Sequence, residues 1–208
     1  MKPAQNAQSC GTQQGTMEHL FHAFMPTTGD VPAHQIPGGN PCLVKCRLRE
    51  GMTWLQFKRI NTEPCPLRAR LEAIFPDQPQ AVKSATSGPE RGYLALQWPD
   101  DFDLKHSTPP DNGLSNWSQR AIICTAAQPS TGTDAITLRY FASQYGVVED
   151  TDTGSATKVL ADYWSHRYAR LTAAPCSPVG GQLLSVLSPE HVEIDGRCMT
   201  AHTRASNA

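Results

Sequence analysis

Between positions 149 and 156 the chain reads Glu149-Asp150-Thr151-Asp152-Thr153-Gly154-Ser155-Ala156. The carboxylates of Glu149, Asp150 and Asp152 crowd ahead of an apolar stripe made by Ala156, Val159, Leu160, Tyr163 and Trp164. That stripe runs at i, i+3, i+4, i+7 and i+8, the pattern of a helix with a broad buried face. The first turn of such a helix has unpaired backbone N–H groups and a partial positive charge. Gly154 lets a ligand come close to the backbone, and Ser155 adds a hydroxyl. The arrangement can seat a carboxylate or an oxyanion. The same residues also suit a plain helix cap, with Asp152, Thr153 or Ser155 at the N-cap for about 1 kcal/mol. From the spacing alone, capping is the commoner use.

Cys10-Gly11-Thr12-Gln13-Gln14-Gly15 is a second loop of this kind, ahead of Met17, Leu20, Phe21 and Phe24 at i, i+3, i+4 and i+7. It offers a weaker anion seat, with a simple turn as the alternative. Metal binding has little support. Cys42 and Cys46 are four apart and His19 and His22 three apart, but no second Cys pair stands at zinc-site spacing. Strand packing accounts for Cys42 and Cys46, and His166 and His191 read as ordinary surface or core residues. The chain contains no Walker loop, Gly-x-Ser-x-Gly elbow or dinucleotide fingerprint.

The elements that must hold these loops follow from periodicity and punctuation. Pro26 and Thr27-Thr28-Gly29-Asp30 end the first helix, and residues 30–41 read as a Pro- and Gly-rich loop. Leu43–Cys46 and Thr53–Lys58 fit a hairpin across Glu50-Gly51. Pro64 and Pro66 then suggest a domain boundary between Asn61 and Pro66. Leu67, Leu71, Ile74 and Phe75 predict a short amphipathic helix stopped by Pro76, and residues 76–91 read as polar loop. Tyr93–Trp98 and Ala121–Thr125 are strands, and 100–118 is irregular. Ile136, Leu138 and Tyr140 alternate with Thr137, Arg139 and Phe141 at period two. Lys158 and Asp162 fall opposite the apolar stripe, four apart, where they can pair modestly. Gln182–Leu187 and His191–Ile194 are late strands, and the residues from about Thr203 form a tail.

Composition narrows the partners. The chain has 208 residues, 39% of them hydrophobic, with a formal net charge of −1. That suffices for one core or two small ones and carries no basic stripe for nucleic acid or an anionic membrane. A small anion needs only a few placed donors. No apolar run approaches the roughly 20 residues that span a bilayer, and Met1–Asn6 has no secretory signal. Seven cysteines at irregular spacing are a poor disulfide framework, so the reading is a reducing, cytoplasmic setting.

The stretch Arg139-Tyr140-Phe141-Ala142, then Glu149-Asp150, then Thr153-Gly154-Ser155-Ala156, then Leu160-Ala161-Asp162-Tyr163-Trp164, resembles the PhzF-like (phenazine biosynthesis) isomerases of the diaminopimelate-epimerase superfamily. Cys176-Ser177-Pro178-Val179-Gly180-Gly181 is similar to that family's Ser-x-x-Gly-Gly segment, and Cys10-Gly11-Thr12 to its Cys-Gly-His loop. The likeness runs from Cys10 onward, specific over 139–164 and loose over 25–130.

The resemblance implies an α+β fold of two pseudo-symmetric antiparallel barrel-like sheets, each around a central helix, with the site in the cleft between them. The expected units are a partial first domain over 1–62, a second domain over 63–200 with its central helix at 155–167, and a tail over 201–208. The two helix amino termini would then face each other, turning two weak anion seats into one site. Carried across by position, Asp150 matches the family's active-site aspartate, and Gly154 and Ser155 its substrate-contacting pair. Gly11 and Thr12 line the other side. Thr12 stands where the family has a histidine and cannot shuttle a proton near neutral pH. Ser143 and Pro175 also depart from the commoner residues. In the family a longer segment with the proton-moving glutamate precedes the Cys-Gly-His loop, whereas nine residues precede Cys10 here. The resemblance therefore implies an incomplete first domain. The expected activity is proton transfer on a small carboxylated substrate without metal or cofactor, in a family where homodimers are common. The departures keep a second reading open: a catalytically inactive truncated relic, or a small-anion-binding protein.

Overall fold

A computed structural model of the protein describes residues 30–34, 44–49, 52–66, 71, 74–86, 92–110, 114, 118, 120–142, 147–150, 154–176 and 181–196. The described strands are β1 (Asp30–His34), β2 (Val44–Arg49), β3 (Met52–Lys58), β4 (Glu63–Pro64), β5 (Ala81–Thr86), β6 (Gly92–Gln97), β7 (Ala121–Ala127), β8 (Ala135–Ala142), β9 (Val147–Asp150), β10 (Arg170–Pro175), β11 (Leu183–Leu187) and β12 (His191–Gly196). They form one mixed sheet in the order β1-β2-β3-β12-β11-β10-β8-β7-β6-β5-β4, with β9 added to β8. The pairs β6/β7 and β8/β10 are parallel, and the others are antiparallel.

Helix α1 (Gly154–Tyr163) packs against β6, β10, β11 and β12. Several strands separate β6 from β12 in the sheet order. Contact with both requires the sheet to curl around the helix. The predicted apolar face explains the packing, because Ala156, Val159, Leu160, Tyr163 and Trp164 are all buried. Each buried Val- or Leu-sized side chain contributes about 1.5–3 kcal/mol. The helix closes a turn earlier than its predicted end at 167. Tighter bonds follow it, Ser165 N–H to the Asp162 carbonyl at 3.1 Å and Arg167 N–H to the Trp164 carbonyl at 2.8 Å. Lys83 Nζ also donates to the Tyr163 carbonyl at 3.4 Å, a cation at the negative helix end.

The period-two pattern of β8 divides the core. Ile136, Leu138 and Tyr140 join the cluster around Val159 and Leu160. Phe141 joins a second cluster on the other face, with Leu71, Phe75, Trp98 and Leu104. Apolar layers on both faces explain why β7 is buried along its full length, Ala121–Ala127.

Several sequence expectations need correction. Residues 30–34 form a strand instead of loop, at the edge of the sheet among the described residues, paired to β2 through Asp30↔Arg47 and Val31↔Cys46. Pro32 suggests a loop, but an edge strand tolerates proline. Residues 81–86, inside the predicted polar loop, form β5 in register with β6 from Ala81↔Gln97 to Thr86↔Gly92. Its small and polar side chains have weak strand preference, and the apolar neighbour β6 supplies the template. Strands β4 and β10 carry no local signal either. The hairpin of β2 and β3 forms as expected, with Arg49↔Met52 nearest its turn.

Asp162 is not on a solvent face. Its carboxylate is buried and accepts from Arg59 Nε at 2.7 Å, Thr62 N–H at 2.7 Å and Thr62 Oγ1 at 2.8 Å. Lys158 instead lies with its ammonium 5.6 Å from the Phe57 ring centre. Strand β3 also pairs with β12, from His191↔Lys58 to Gly196↔Thr53, so chain from either side of the predicted boundary shares one sheet. The first predicted helix, the loop at Gly11 and Thr12, and the tail lie outside the described residues.

Candidate functional site

Strand β9 delivers the carboxylates. It pairs with β8 through Tyr140↔Asp150 and Ala142↔Val147, with an irregularity between. Residues opposite one another in a sheet share a face, and neighbours along a strand alternate. Tyr140 belongs to the cluster around α1, so the register sets Asp150 toward the helix side. Glu149 takes the opposite face, which is the face of Arg139.

There the two side chains form a fork-to-fork ion pair. Arg139 Nε donates to Glu149 Oε1 at 2.7 Å and Arg139 Nη2 to Glu149 Oε2 at 2.7 Å. Nη1 is held by the Ser107 carbonyl at 2.7 Å, the Ser107 hydroxyl at 3.2 Å and the Leu104 carbonyl at 3.4 Å. Arg139 is 8% exposed, so these bonds replace the water it has lost. Donating to the Glu149 carboxylate, which outweighs burial acting the other way, leaves the guanidinium more basic than usual. The guanidinium also lies 5.1 Å from the Phe141 ring centre.

Helix α1 begins at Gly154, after three residues outside the described set. Four steps of chain place the Cα atoms of Asp150 and Gly154 within about 14 Å of each other. Gly154 and Ser155 are half-buried, whereas Ala156 and Thr157 are fully buried. The amino end of the helix thus emerges where the core stops. Its first turn, Gly154–Thr157, carries no acidic side chain to compensate the positive helix end. Gly154 and Ser155 thus open α1 and Asp150 stands four residues ahead of it on the helix side of the sheet, while Gly11 and Thr12 lie outside the described residues.

Sequence reasoning passed over Arg139 and Glu149 as a pair. The signal was present: an arginine at a buried period-two position requires a partner, and Glu149 follows ten residues later. Cys124, opposite Arg139 in the register, lies beneath the same layer, and burial pushes its thiol pKa up. Burial does the same to Cys176. A cleft on this face, lined by Phe75, Trp98, Ser107 and Arg139, encloses about 10 Å³. That is room for about one water, far short of the roughly 300 Å³ of a small-molecule site. No cluster of three or more His, Cys, Asp or Glu suited to a metal ion occurs among the described residues. No described helix is long and apolar enough to cross a membrane.

A family model described as "Phenazine biosynthesis-like protein" matches residues 53–203. A phenazine biosynthesis-like domain-containing protein 1 from Mus musculus is 46% identical over 116 residues, covering 50% of this chain and 40% of that protein. A phenazine biosynthesis-like domain-containing protein from Bos taurus is 42% identical over 80 residues, covering 36% of this chain and 28% of that protein. A Pseudomonas aeruginosa protein that bears the name of an uncharacterized isomerase is 44% identical over 63 residues, covering 29% of this chain and 24% of its own. The matched stretches span less than half the length of each of these relatives. Among solved structures, a PhzF-family phenazine biosynthesis protein from Enterococcus faecalis superposes with a TM-score of 0.66 at 23% identity, covering 89% of this chain and 67% of that one. The PhzF-family protein from Bacillus anthracis gives 0.62 at 11% identity, with 89% and 71% covered. These likenesses show the fold, a curled mixed sheet around α1.

Proposed function

Because the chain belongs to the phenazine biosynthesis-like (PhzC-PhzF) family, we propose that it acts as an isomerase of the PhzF type, moving a proton within a small carboxylated substrate without metal or cofactor. The observation that carries this reading is the register of β9, which sets Asp150 toward the helix side, four residues ahead of the half-buried start of a buried helix. In this role the N–H groups at Gly154 and Ser155, with the Ser155 hydroxyl, hold the substrate carboxylate or the negative charge that develops as a C–H bond breaks. Asp150 binds a polar substituent or relays the proton, which returns to a different carbon. By the family resemblance, the reading also assigns Gly11 and Thr12 to the other side of the substrate and a second barrel-like unit, with its own central helix, to the fold.

The test is proton exchange in D₂O, followed by ¹H NMR on a panel of small unsaturated and cyclohexadiene carboxylic acids. The expected result is incorporation of deuterium at one carbon of a panel member, reduced about 10²–10⁴-fold in Asp150→Asn. A second reading, a small-anion-binding protein without turnover, draws on Thr12, a residue that donates a hydrogen bond but shuttles no proton near neutral pH. Saturable binding of panel acids with no exchange in any of them would exclude the isomerase and favour the binder.

A further inference from the structure

We infer that Arg139 is a positioning residue of this site, acting through Glu149 to fix β9 and so the direction of Asp150. The inference rests on the site reading above and adds to it a part that touches no substrate. Among the described residues β9 pairs only with β8, over four residues and with a register irregularity. Such a short, irregular strand is weakly held by its ladder alone. Val148, in its middle, is 69% exposed, so apolar packing there adds little hold. Glu149 supplies the anchor. Both of its oxygens are held at 2.7 Å by a guanidinium that is buried and fastened to Ser107 and Leu104 in the outer layer. The fork fixes orientation as well as distance, because two parallel bonds to a planar group resist twisting. Since Glu149 and Asp150 are adjacent on a strand, clamping one to the outer face commits the next to the helix side.

The experiment uses the full chain and four variants: Glu149→Gln, Arg139→Lys, Asp150→Asn, and Glu149→Gln combined with Asp150→Asn. Backbone hydrogen exchange reads the anchor without any ligand. Glu149→Gln and Arg139→Lys should each expose the amides of 147–150 about tenfold more often, while those of 159–163 stay protected. Unchanged protection at 147–150 overturns the anchor. The D₂O assay with the carboxylic acid panel then reads the consequence. Glu149→Gln should lower the rate with little change in KM, and should lower it no further when Asp150 is already Asn. An equal loss in both backgrounds marks a general structural effect and overturns the positioning role. If the wild-type chain exchanges no proton with any panel acid, the isomerase reading fails. The anchor is then decided by amide protection alone.

Discussion

Arg59 and Asp162 meet at 2.7 Å across 103 positions of chain, joining the segment after β3 to the last turn of α1. Asp162 is 6% exposed and also holds both the amide and the hydroxyl of Thr62, so the carboxylate is paired in place of being hydrated. Removing Arg59 leaves a buried charge short of its cation. Arg59→Ala should destabilise the fold by about 3 kcal/mol, and Thr62→Val, which keeps the amide bond, by about 1.5 kcal/mol. Urea unfolding of the two variants measures this. An Arg59→Ala midpoint equal to wild type would show that the pair contributes nothing.

The helix itself should be the costliest place to lose volume. Leu160 is fully buried in the cluster that includes Leu138, Tyr140 and Trp164. Leu160→Ala should cost about 2–5 kcal/mol, with an unchanged urea m-value if only stability is lost.

Alkaline pH should loosen the core in a defined window. Burial pushes the Cys124 thiol above its ordinary 9.0 and the Tyr163 phenol above its ordinary 10.0. The unfolded chain sheds these protons first, so the folded state is favoured while they are retained. Their contribution is intact below about pH 9 and falls as pH rises toward the raised values. Denaturant melts between about pH 8 and about pH 11 should show a falling midpoint. Cys124→Ala should make the fall in midpoint shallower, while the Cys176 thiol, raised by burial as well, keeps the onset at about pH 9. A fall as steep as in the wild-type chain would mean that the Cys124 thiol does not contribute.

The seat at the start of α1 predicts a separation of binding from stability. Ser155 is half-buried, so Ser155→Ala should leave the melting temperature close to wild type. Its loss of a hydroxyl donor should weaken benzoate binding about tenfold, read from NMR titration of the Gly154 and Ser155 amides. Benzoate shifts confined to other regions of the chain would place the seat elsewhere.

Helix α1, the β2–β3 hairpin and the alternating faces of β8 are legible in the sequence alone, because each is a local pattern. Val159, Leu160 and Tyr163 repeat at helical spacing, and Ile136, Leu138 and Tyr140 at strand spacing. Strand β5, Ala81–Thr86, shows no such period; it is a strand because β6 lies beside it. Asp162 could not be read as an anchor, since its partners lie 100 and 103 positions away.

By itself the sequence determined the family, through the motifs of 139–164, and the buried helix that opens at Gly154-Ser155. Only the tertiary structure decided the different parts taken by adjacent carboxylates. Glu149 is spent on Arg139, while the register Tyr140↔Asp150 turns its neighbour toward the helix side. The reason is physical: a side chain's direction in a sheet follows from which residue lies opposite it. That pairing is set between strands and is written in neither strand alone.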